Sequence, residues 1–452
     1  MPSHSESAGK KEPLSSLPLL RGLYWCVGIL CVIGCFNVYS ATYYANLSGG
    51  IAPYRDLGKH AVYLAIGVTV LVILRYCPFL WRTYSCRRVF YVLIGGLLLA
   101  VFAAGVTVNG ATRWFAVGPV SVQPSEFAKV ASILAAAFSL SRLLREERRI
   151  SLLACPLCLL ARMVCGMLHR PYRGAPVAWK DLRRMYKPLF VPAVFFAFVM
   201  EQPDMGTAAL IMVFPLALYF LAGLSRGEVI AVIFIAVAFM AGLAMIEPYR
   251  MDRLMIFLHP DSDPAGKGYQ LAQSLIAVGS GGFWGQGLGW GLSKFFFLPE
   301  RNTDFAFAVL GQEGGFALAA ATLCLFFAIL YIGFRLASRI PDTAAALAVY
   351  GLTLLISGQG LVNIAMVIGC FPVTGVPLPF ISAGGSALVT NCAAVGIIAG
   401  AVHEGERLRR EKKEETAPVF QPVPLRKVSG AVFEPPPEEG YRPYSDDRFR
   451  RY

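Results

Sequence analysis

Long apolar stretches, separated by short polar segments, run along most of the chain. We interpret ten of them as membrane-spanning helices, because most approach the roughly 20 apolar residues that cross a bilayer. They lie near residues 23–43, 60–77, 89–108, 125–141, 188–200, 205–222, 228–246, 304–334, 343–370 and 386–402. The pattern predicts an all-α polytopic membrane protein with about ten transmembrane helices, whose transmembrane domain covers residues 23–402.

The charges of the polar segments predict how the helices are oriented. The loop 142–187 alone holds 11 Lys and Arg, which is typical of a cytoplasmic loop. With an even number of spans, both ends of the chain are then cytoplasmic, and residues 247–303 form a large extracytoplasmic loop between helices 7 and 8. Residues 1–22 are a cytoplasmic N-terminal segment. Residues 403–452, which become Pro-rich, are predicted to be a disordered cytoplasmic tail.

Composition excludes some classes of function. Of the 452 residues 56% are apolar and only 15% are charged, against about a quarter charged in a soluble domain. The net charge of +13 follows from the positive cytoplasmic loops, so we expect no nucleic-acid partner. No GxxxxGK[ST] sequence is present, which argues against direct use of a nucleotide.

One cysteine-rich segment has the ingredients of a zinc site. It reads "CPLCLLARMVCGMLH" and contains Cys155, Cys158, Cys165 and His169. The segment lacks the polar, turn-rich setting that is usual for structural zinc. Buried thiols are therefore the favoured interpretation.

Charged residues gather where apolar stretches begin at the predicted outer face. Asp304 of "LPERNTDFAF" is either a helix cap or a functional carboxylate. Glu126 and Lys129 of "QPSEFAK" share one helical face, either as an interfacial ion pair or facing a polar cavity. Asp204 of "QPDMGT" is first interpreted as a turn followed by a cap.

Further residues at the same face suit an anionic ligand. Arg113, Arg253 and Lys267 supply cations there. The segment 384–386, which ends in Ser386, enters a helix, where backbone amides could donate hydrogen bonds to phosphate oxygens. These residues predict an outward-opening polar cavity for an anionic lipid-linked substrate, and at this point a binder, a transporter and an enzyme all fit that cavity.

At these motifs the sequence resembles the SEDS family (shape, elongation, division and sporulation), which includes FtsW and RodA. The resemblance covers residues 20 to 405 and rests on "QPSEFAK", "QPDMGT", "DPAGKGYQLAQSLIAVGSGGFWGQGLG", "LPERNTDFAF" and "VNIAMVIGCFPVTGVPLPFISAGGSA". It implies a ten-helix fold and a peptidoglycan glycosyltransferase. Such an enzyme transfers a lipid-linked glycan chain onto the C4 hydroxyl of lipid II, releases undecaprenyl diphosphate, and acts with a class B penicillin-binding protein transpeptidase.

The resemblance also implies residue roles. Asp304 matches the presumed catalytic acid, whereas Glu126 and Lys129 match residues that line the family's outer cavity. Our hypothesis is that Asp304 is the general base, and that Arg113, Lys129 or a divalent cation (Mg²⁺ or Mn²⁺) neutralises the departing diphosphate. The complete predicted substrate-binding set is Glu126, Lys129, Arg113, Asp204, Arg253, Lys267 and Ser386.

Three positions depart from the usual family motifs. Asn302 replaces a histidine, Phe296 replaces a glutamate that is common in FtsW-like members, and Ala383 replaces a tyrosine. These changes affect auxiliary positions and leave Asp304 as the clearest acid of its motif.

The branch of the family is predicted from two kinds of feature. "GYQLAQSLIAVGSGGFWGQGLG" and the long tail favour an FtsW-like protein of the division septum in the bacterial inner membrane, with lipid II, nascent glycan and other divisome proteins as partners. "GVPLPF" favours a RodA-like elongation polymerase that sets cell shape. A lipid II flippase and a division scaffold are two further candidate functions.

Overall fold

The computed structural model describes residues 16–108, 111–117, 120–146, 151–153, 179–246, 251, 255–259, 267–295 and 298–416. The described residues up to Arg410 form one compact unit; a second begins at Glu411, and its described residues are the end of the last helix. The principal helices are α1 Leu17–Ser48, α2 Arg55–Tyr76, α3 Phe79–Arg82, α4 Tyr84–Ala104, α5 Pro124–Arg145, α6 Trp179–Glu201, α7 Met205–Leu221, α8 Arg226–Ile246, α9 Lys267–Ser280, α10 Ala306–Ala337, α11 Thr343–Val367 and α12 Gly385–Thr416.

Helices account for nearly all of this architecture, which confirms an all-α polytopic membrane protein. Within the described ranges, eight helices are long and apolar enough to cross a membrane, and α7 is a shorter apolar helix. The fifth predicted span, residues 188–200, falls in α6, whose first half carries the charged sequence "WKDLRRMYK". Each of the ten predicted stretches therefore lies mostly in a helix, while the count of ten spans stays a prediction.

The centre of the bundle is formed by α5, α11 and α12. Of the residues in the apolar stretches of these three helices, 72%, 67% and 89% are buried. In the apolar stretch of α2 only 11% are buried, so α2 is peripheral. Helix α11 packs against α5, α7 and α10, and α1 packs along α10. Small residues bring these helices close together: Gly351 of α11 lies against Ile133 of α5, and Gly333 of α10 against Thr353 of α11.

A small antiparallel sheet follows α4, where the sequence predicted the end of a helix. Its strands are β1 Val106–Val108, β2 Ala111–Val117 and β3 Val120–Val122, in the order β1-β2-β3. The third predicted span therefore runs on too far, because α4 ends at Ala104 and the β-branched residues of "VTV" enter a strand. The sheet carries Arg113 to one end of the bundle, which we call the cavity end.

Helix α10 consists of two pieces that meet at Gly315. This glycine has φ 67° and ψ −170°, a conformation essentially restricted to glycine. The break packs backbone to backbone against the turn 281–292: a Cβ on Gly315 would lie 2.2 Å from the nitrogen of Gly285. The amides of Gln286 and Gly287 donate to carbonyls just before the break, at 3.0 and 3.1 Å.

The same break holds a buried ion pair. Lys294 Nζ lies 3.2 Å from Glu313 Oε1, and the two side chains are only 4% and 3% exposed. Ser40 of α1 donates to the Glu313 carboxylate at 2.7 Å. Helix α1, helix α10 and the segment that carries Lys294 therefore meet at this one carboxylate.

Helix α12 continues beyond the predicted start of the tail at residue 403. It extends to Thr416 through "HEGERLRREKKEET", which is rich in strong helix formers. Ser16, just before α1, donates its amide hydrogen to Glu406 at 2.7 Å. Residues from 417 onward lie outside the described part, and the predicted disorder of the tail concerns them.

At the end of the bundle opposite the cavity end, Asp342 joins several helices. It is the N-cap of α11 and accepts a hydrogen bond from the amide of Ala345 at 3.4 Å. Its carboxylate also lies 3.1 Å from Arg145 and 3.9 Å from Arg82, and Arg82 pairs with Glu404 at 2.9 Å.

Candidate active site

A cavity of about 650 Å³ opens at the cavity end of the bundle. Its walls come from distant parts of the sequence: strands β2 and β3, the start of α5, the turn 299–305, the loop that follows α11 and the start of α12. Of the predicted residues, it brings together Arg113, Asp204, Asp304 and Ser386.

Asp304 lies near the end of the turn that leads into α10. The N-cap of α10 is Phe305, which makes no side-chain cap bond, so Asp304 precedes the cap position. Asp304 lines the cavity, and its Oδ2 faces Gly375, where a Cβ would lie 3.5 Å away. The carboxylate is thereby presented to the cavity.

The backbone around Asp304 is held through its carbonyl groups. Asn363 of α11 donates to the carbonyl of Asp304 at 2.8 Å, and Asn37 of α1 donates to that of Ala306 at 3.1 Å. Ser382 donates to the carbonyl of Thr303 at 2.5 Å. The backbone that carries the carboxylate is therefore held by side chains from three separate parts of the fold.

Two departures from the family motifs fall on this scaffold. The carbonyl of Asn302 accepts a hydrogen bond from the amide of Ala383 at 2.8 Å. Because both partners use main-chain atoms, the contact does not depend on either side chain. The third departure, Phe296, lies outside the described residues.

Arg301 ties the same turn to α1. Its Nε donates to the carbonyl of Ala41 at 3.0 Å. Burial lowers the pKa of the Arg301 guanidinium from its ordinary value, and an arginine stays charged nonetheless. Arg301 therefore places a half-buried positive charge three residues before Asp304.

Arg113 and Asp204 form a second polar cluster on the cavity wall. Arg113 donates from Nε to the carbonyl of Gln202 at 2.9 Å and from Nη2 to that of Pro203, and it lies 4.0 Å from Asp204. Asp204 is the N-cap of α7 and accepts from the amide of Thr207 at 3.1 Å, which confirms the cap interpretation. The guanidinium is thus held against the turn that precedes α7.

Glu126 and Lys129 form the predicted ion pair, at 2.8 Å, but not at the surface. Their side chains are 2% and 1% exposed, and neither lines the cavity. Lys129 also donates to Gln359 at 2.7 Å, and Gln359 donates to the carbonyl of Pro377 at 2.9 Å. Since Pro377 lines the cavity, the pair supports its wall from behind.

The start of α12 contributes a helix terminus to the cavity. Gly384, Gly385 and Ser386 line it, and the first amides of a helix have no intrahelical partner. Ser386 Oγ accepts from the amide of Gln123 at 2.9 Å. Tyr63 of α2 packs so closely on Gly385 that a Cβ there would lie 2.3 Å from the ring.

Acidic groups outnumber basic ones in this cavity. Among its described lining residues, Asp204, Glu300 and Asp304 are acidic, whereas Arg113 is the single cation. No group of three or more potential metal-ligating His, Cys, Asp or Glu side chains occurs in the described ranges. Arg253, the side chain of Lys267 and the cysteine-rich segment 155–169 lie outside those ranges.

Several residues around the site were not identified from the sequence. Asn363, Asn37 and Gln359 are buried amides in apolar helices, where a polar side chain is costly unless it has partners. That cost was the available signal. Their partners lie far away along the chain, so the sequence did not show which groups they hold.

A family model and individual relatives both place the chain among the same group of proteins. Residues 21–407 match the family model of the FtsW, RodA and SpoVE cell cycle proteins. The chain is 34% identical to the probable peptidoglycan glycosyltransferase FtsW of Coxiella burnetii, over 84% of this chain and 95% of that protein. It is also 34% identical to the stage V sporulation protein E of Bacillus subtilis, over 82% and 93% respectively.

A similar fold occurs in a solved structure. A chain from a peptidoglycan synthase complex, studied for the structural coordination of polymerization and crosslinking, matches with a TM-score of 0.61 at 27% identity. The match covers 85% of this chain and 98% of that chain.

Proposed function

The chain belongs to the FtsW, RodA and SpoVE family of cell cycle proteins, and from that membership and the cavity we propose that it is a peptidoglycan glycosyltransferase. It transfers a lipid-linked glycan chain onto the C4 hydroxyl of lipid II and releases undecaprenyl diphosphate. The observation that carries the proposal is Asp304, whose carboxylate is presented to the cavity by a turn that three parts of the fold hold in place.

A single carboxylate suffices for this chemistry. An α-linked diphosphate donor that yields a β-linked product reacts with inversion, so no covalent enzyme intermediate is needed. Diphosphate is already a good leaving group, whereas glycosidases must protonate a poor one. Asp304 then acts as the general base that takes the proton from the C4 hydroxyl as that oxygen attacks the donor sugar.

The diphosphate requires positive charge or amide donors. The cavity offers Arg113 and the first amides of α12 near Gly385 and Ser386. A divalent cation fits the remaining acidic groups, because Mg²⁺ is usually held by one or two carboxylates together with substrate phosphates. Glu300 would hold such an ion, which would supply charge stabilisation.

Glu126 and Lys129 act in this proposal as positioning residues. Through Gln359 they support the wall at Pro377 instead of touching the substrate. Arg253 and Lys267 remain proposed contacts of the lipid-linked substrate.

The relatives support a proposal for the partners and the location. Because this chain resembles a subunit of a complex that couples polymerization to crosslinking, we expect a class B penicillin-binding protein transpeptidase as its partner. Because the chain is FtsW-like, we propose that it works with other divisome proteins at the septum of the inner membrane, with the cavity end on the extracytoplasmic side.

The test is polymerisation of labelled lipid II by the purified protein with its transpeptidase partner. Asp304→Asn keeps the size of the side chain and removes the base, so we expect glycan chains to disappear. The control is Asp56→Asn, which removes a carboxylate near the start of α2 that does not line the cavity. An Asp304→Asn protein that folds, binds its partner and polymerises like wild type would refute the proposal.

A lipid II flippase is the second candidate, and the buried Glu126–Lys129 pair is the observation that favours it. A flippase should need this pair and tolerate an amide at position 304. Transport of labelled lipid II into the opposite leaflet, measured for Asp304→Asn and Lys129→Met, separates the two functions.

A further inference from the structure

The turn 281–292 exposes an apolar surface that the proposed chemistry does not use. Its large side chains are strongly exposed: Trp284 81%, Trp290 78%, Leu288 64%, Leu292 62% and Phe283 56%. Two tryptophans exposed to this degree on one short turn indicate a surface that is covered by something other than water.

The turn carries no charge. Between residues 281 and 292 the one side chain that is polar apart from the indoles is Gln286, which donates to the carbonyl of Ser280 at 3.1 Å. The nearest charge, Lys294, is directed into its buried pair with Glu313. The exposed side of the turn is therefore apolar and aromatic.

The backbone of the turn is largely satisfied without water. Gln286 and Gly287 donate to carbonyls of α10, and the amides of Phe316 and Ala317 return hydrogen bonds to the carbonyls of Gly282 and Phe283 at 2.8 and 3.1 Å. Irregular backbone is tolerated near lipid only when its polar groups are paired in this way.

The position of the turn along α10 matches the edge of a bilayer. The second piece of α10, residues 316–337, is about 33 Å long at about 1.5 Å per residue, close to the roughly 30 Å of the hydrocarbon core. Residues 306–313 of the first piece are all buried in protein, whereas side chains beyond the break become exposed. Phe316 therefore marks the boundary of the lipid-facing surface.

The aromatic surface is continuous with that lipid-facing surface. Phe316 is 64% exposed, and its ring centroid lies 5.9 Å from that of Phe283, which in turn lies 4.8 Å from that of Trp284. Tryptophan is enriched at this level of membrane proteins because its ring is apolar and its N–H is polar. We propose that the turn 281–292 is an interfacial membrane anchor, which seats Trp284 and Trp290 among lipid headgroups and the first carbons of the acyl chains.

The test uses the full-length chain in nanodiscs that contain phosphatidylcholine brominated at shallow or deep acyl positions. All but one of the six tryptophans are replaced by phenylalanine, which leaves Trp284 or Trp290 as the sole tryptophan fluorophore. Trp25, 74% exposed on α1, is the lipid-facing control, and Trp81, 3% exposed, is the buried control.

We expect shallow bromines to quench Trp284 and Trp290 more strongly than deep ones do, with a loss of emission comparable to that of Trp25 and larger than that of Trp81. Absence of bromolipid quenching at both positions overturns the proposal. Aqueous iodide then identifies what replaces the lipid: quenching by iodide places the turn in water, and protection from it places another protein surface over the turn.

Discussion

Asn363 donates a hydrogen bond to the carbonyl of Asp304 at 2.8 Å and a second to that of Val376 at 2.7 Å. One buried amide of α11 thus joins the turn that carries the proposed base to the loop that forms the opposite wall of the cavity. The two segments are separated by about seventy residues in the chain, so this contact determines how Asp304 faces that wall.

Replacing Asn363 should therefore reduce polymerisation without removing the base. Asn363→Leu keeps the approximate volume but leaves two carbonyls without this donor. We expect the maximal rate to fall by about 100-fold, the loss that a displacement of about 1 Å causes. Initial rates on labelled lipid II measure it.

Asn391→Leu is the matched control for that experiment. Asn391 is also a buried asparagine, but it donates to the carbonyl of Ala387 in its own helix at 2.8 Å. Equal loss of rate in both folded proteins would contradict the role given to Asn363.

Breaking the Lys294–Glu313 pair should lower the free energy of unfolding. Lys294→Met leaves the carboxylate of Glu313 buried without its cation, which should destabilise the fold by about 3–5 kcal/mol. The double variant Lys294→Met with Glu313→Gln removes both charges and should recover most of that loss. Denaturant unfolding in detergent compares the two variants, and equal stabilities for the single and double variants would argue against a buried unpaired charge.

A methyl group at Gly315 should damage the junction between α10 and the anchoring turn. Gly315→Ala would bring a Cβ to 2.2 Å from the nitrogen of Gly285, in a backbone conformation that costs other residues about 1–3 kcal/mol. We expect a clear fall in Tm. Gly28→Ala on α1 adds a methyl group with no atom within 4 Å and should leave the Tm unchanged or slightly higher.

Asp342 allows the helix cap to be separated from the ion pairs at the opposite end of the bundle. Asp342→Asn can still cap α11 and should cost less than about 1 kcal/mol, because the pairs with Arg82 and Arg145 are partly exposed. Asp342→Ala also loses the cap, worth about 1 kcal/mol more. Thermal unfolding of the two variants checks the order, and a less stable Asn variant would contradict it.

Local patterns in the sequence predicted the features that depend on neighbouring residues. Apolar stretches located the helices, and the three-residue spacing of Glu126 and Lys129 predicted their ion pair. Asp204 was correctly interpreted as a cap from its turn sequence. These predictions succeeded because each depends on a few residues of contiguous chain.

Features that depend on packing were not predictable in this way. The break at Gly315 occurs where the turn 281–292 replaces helical hydrogen bonds of α10. The sequence around Gly315 does not show that this turn is its partner. The burial of Lys129 depends on Gln359, 230 positions away. The strands after α4 were missed because β-branched residues also suit an apolar helix.

The carbonyl contacts around Asp304 have a consequence for inhibitors. Side chains of α1, α11 and the loop before α12 fix this turn before any substrate arrives. A small molecule shaped to the cavity would meet a surface that needs little reorganisation, so little of its affinity would be lost to ordering the protein. Rigid scaffolds that match the shape of the cavity are accordingly the chemical starting point that this pocket favours.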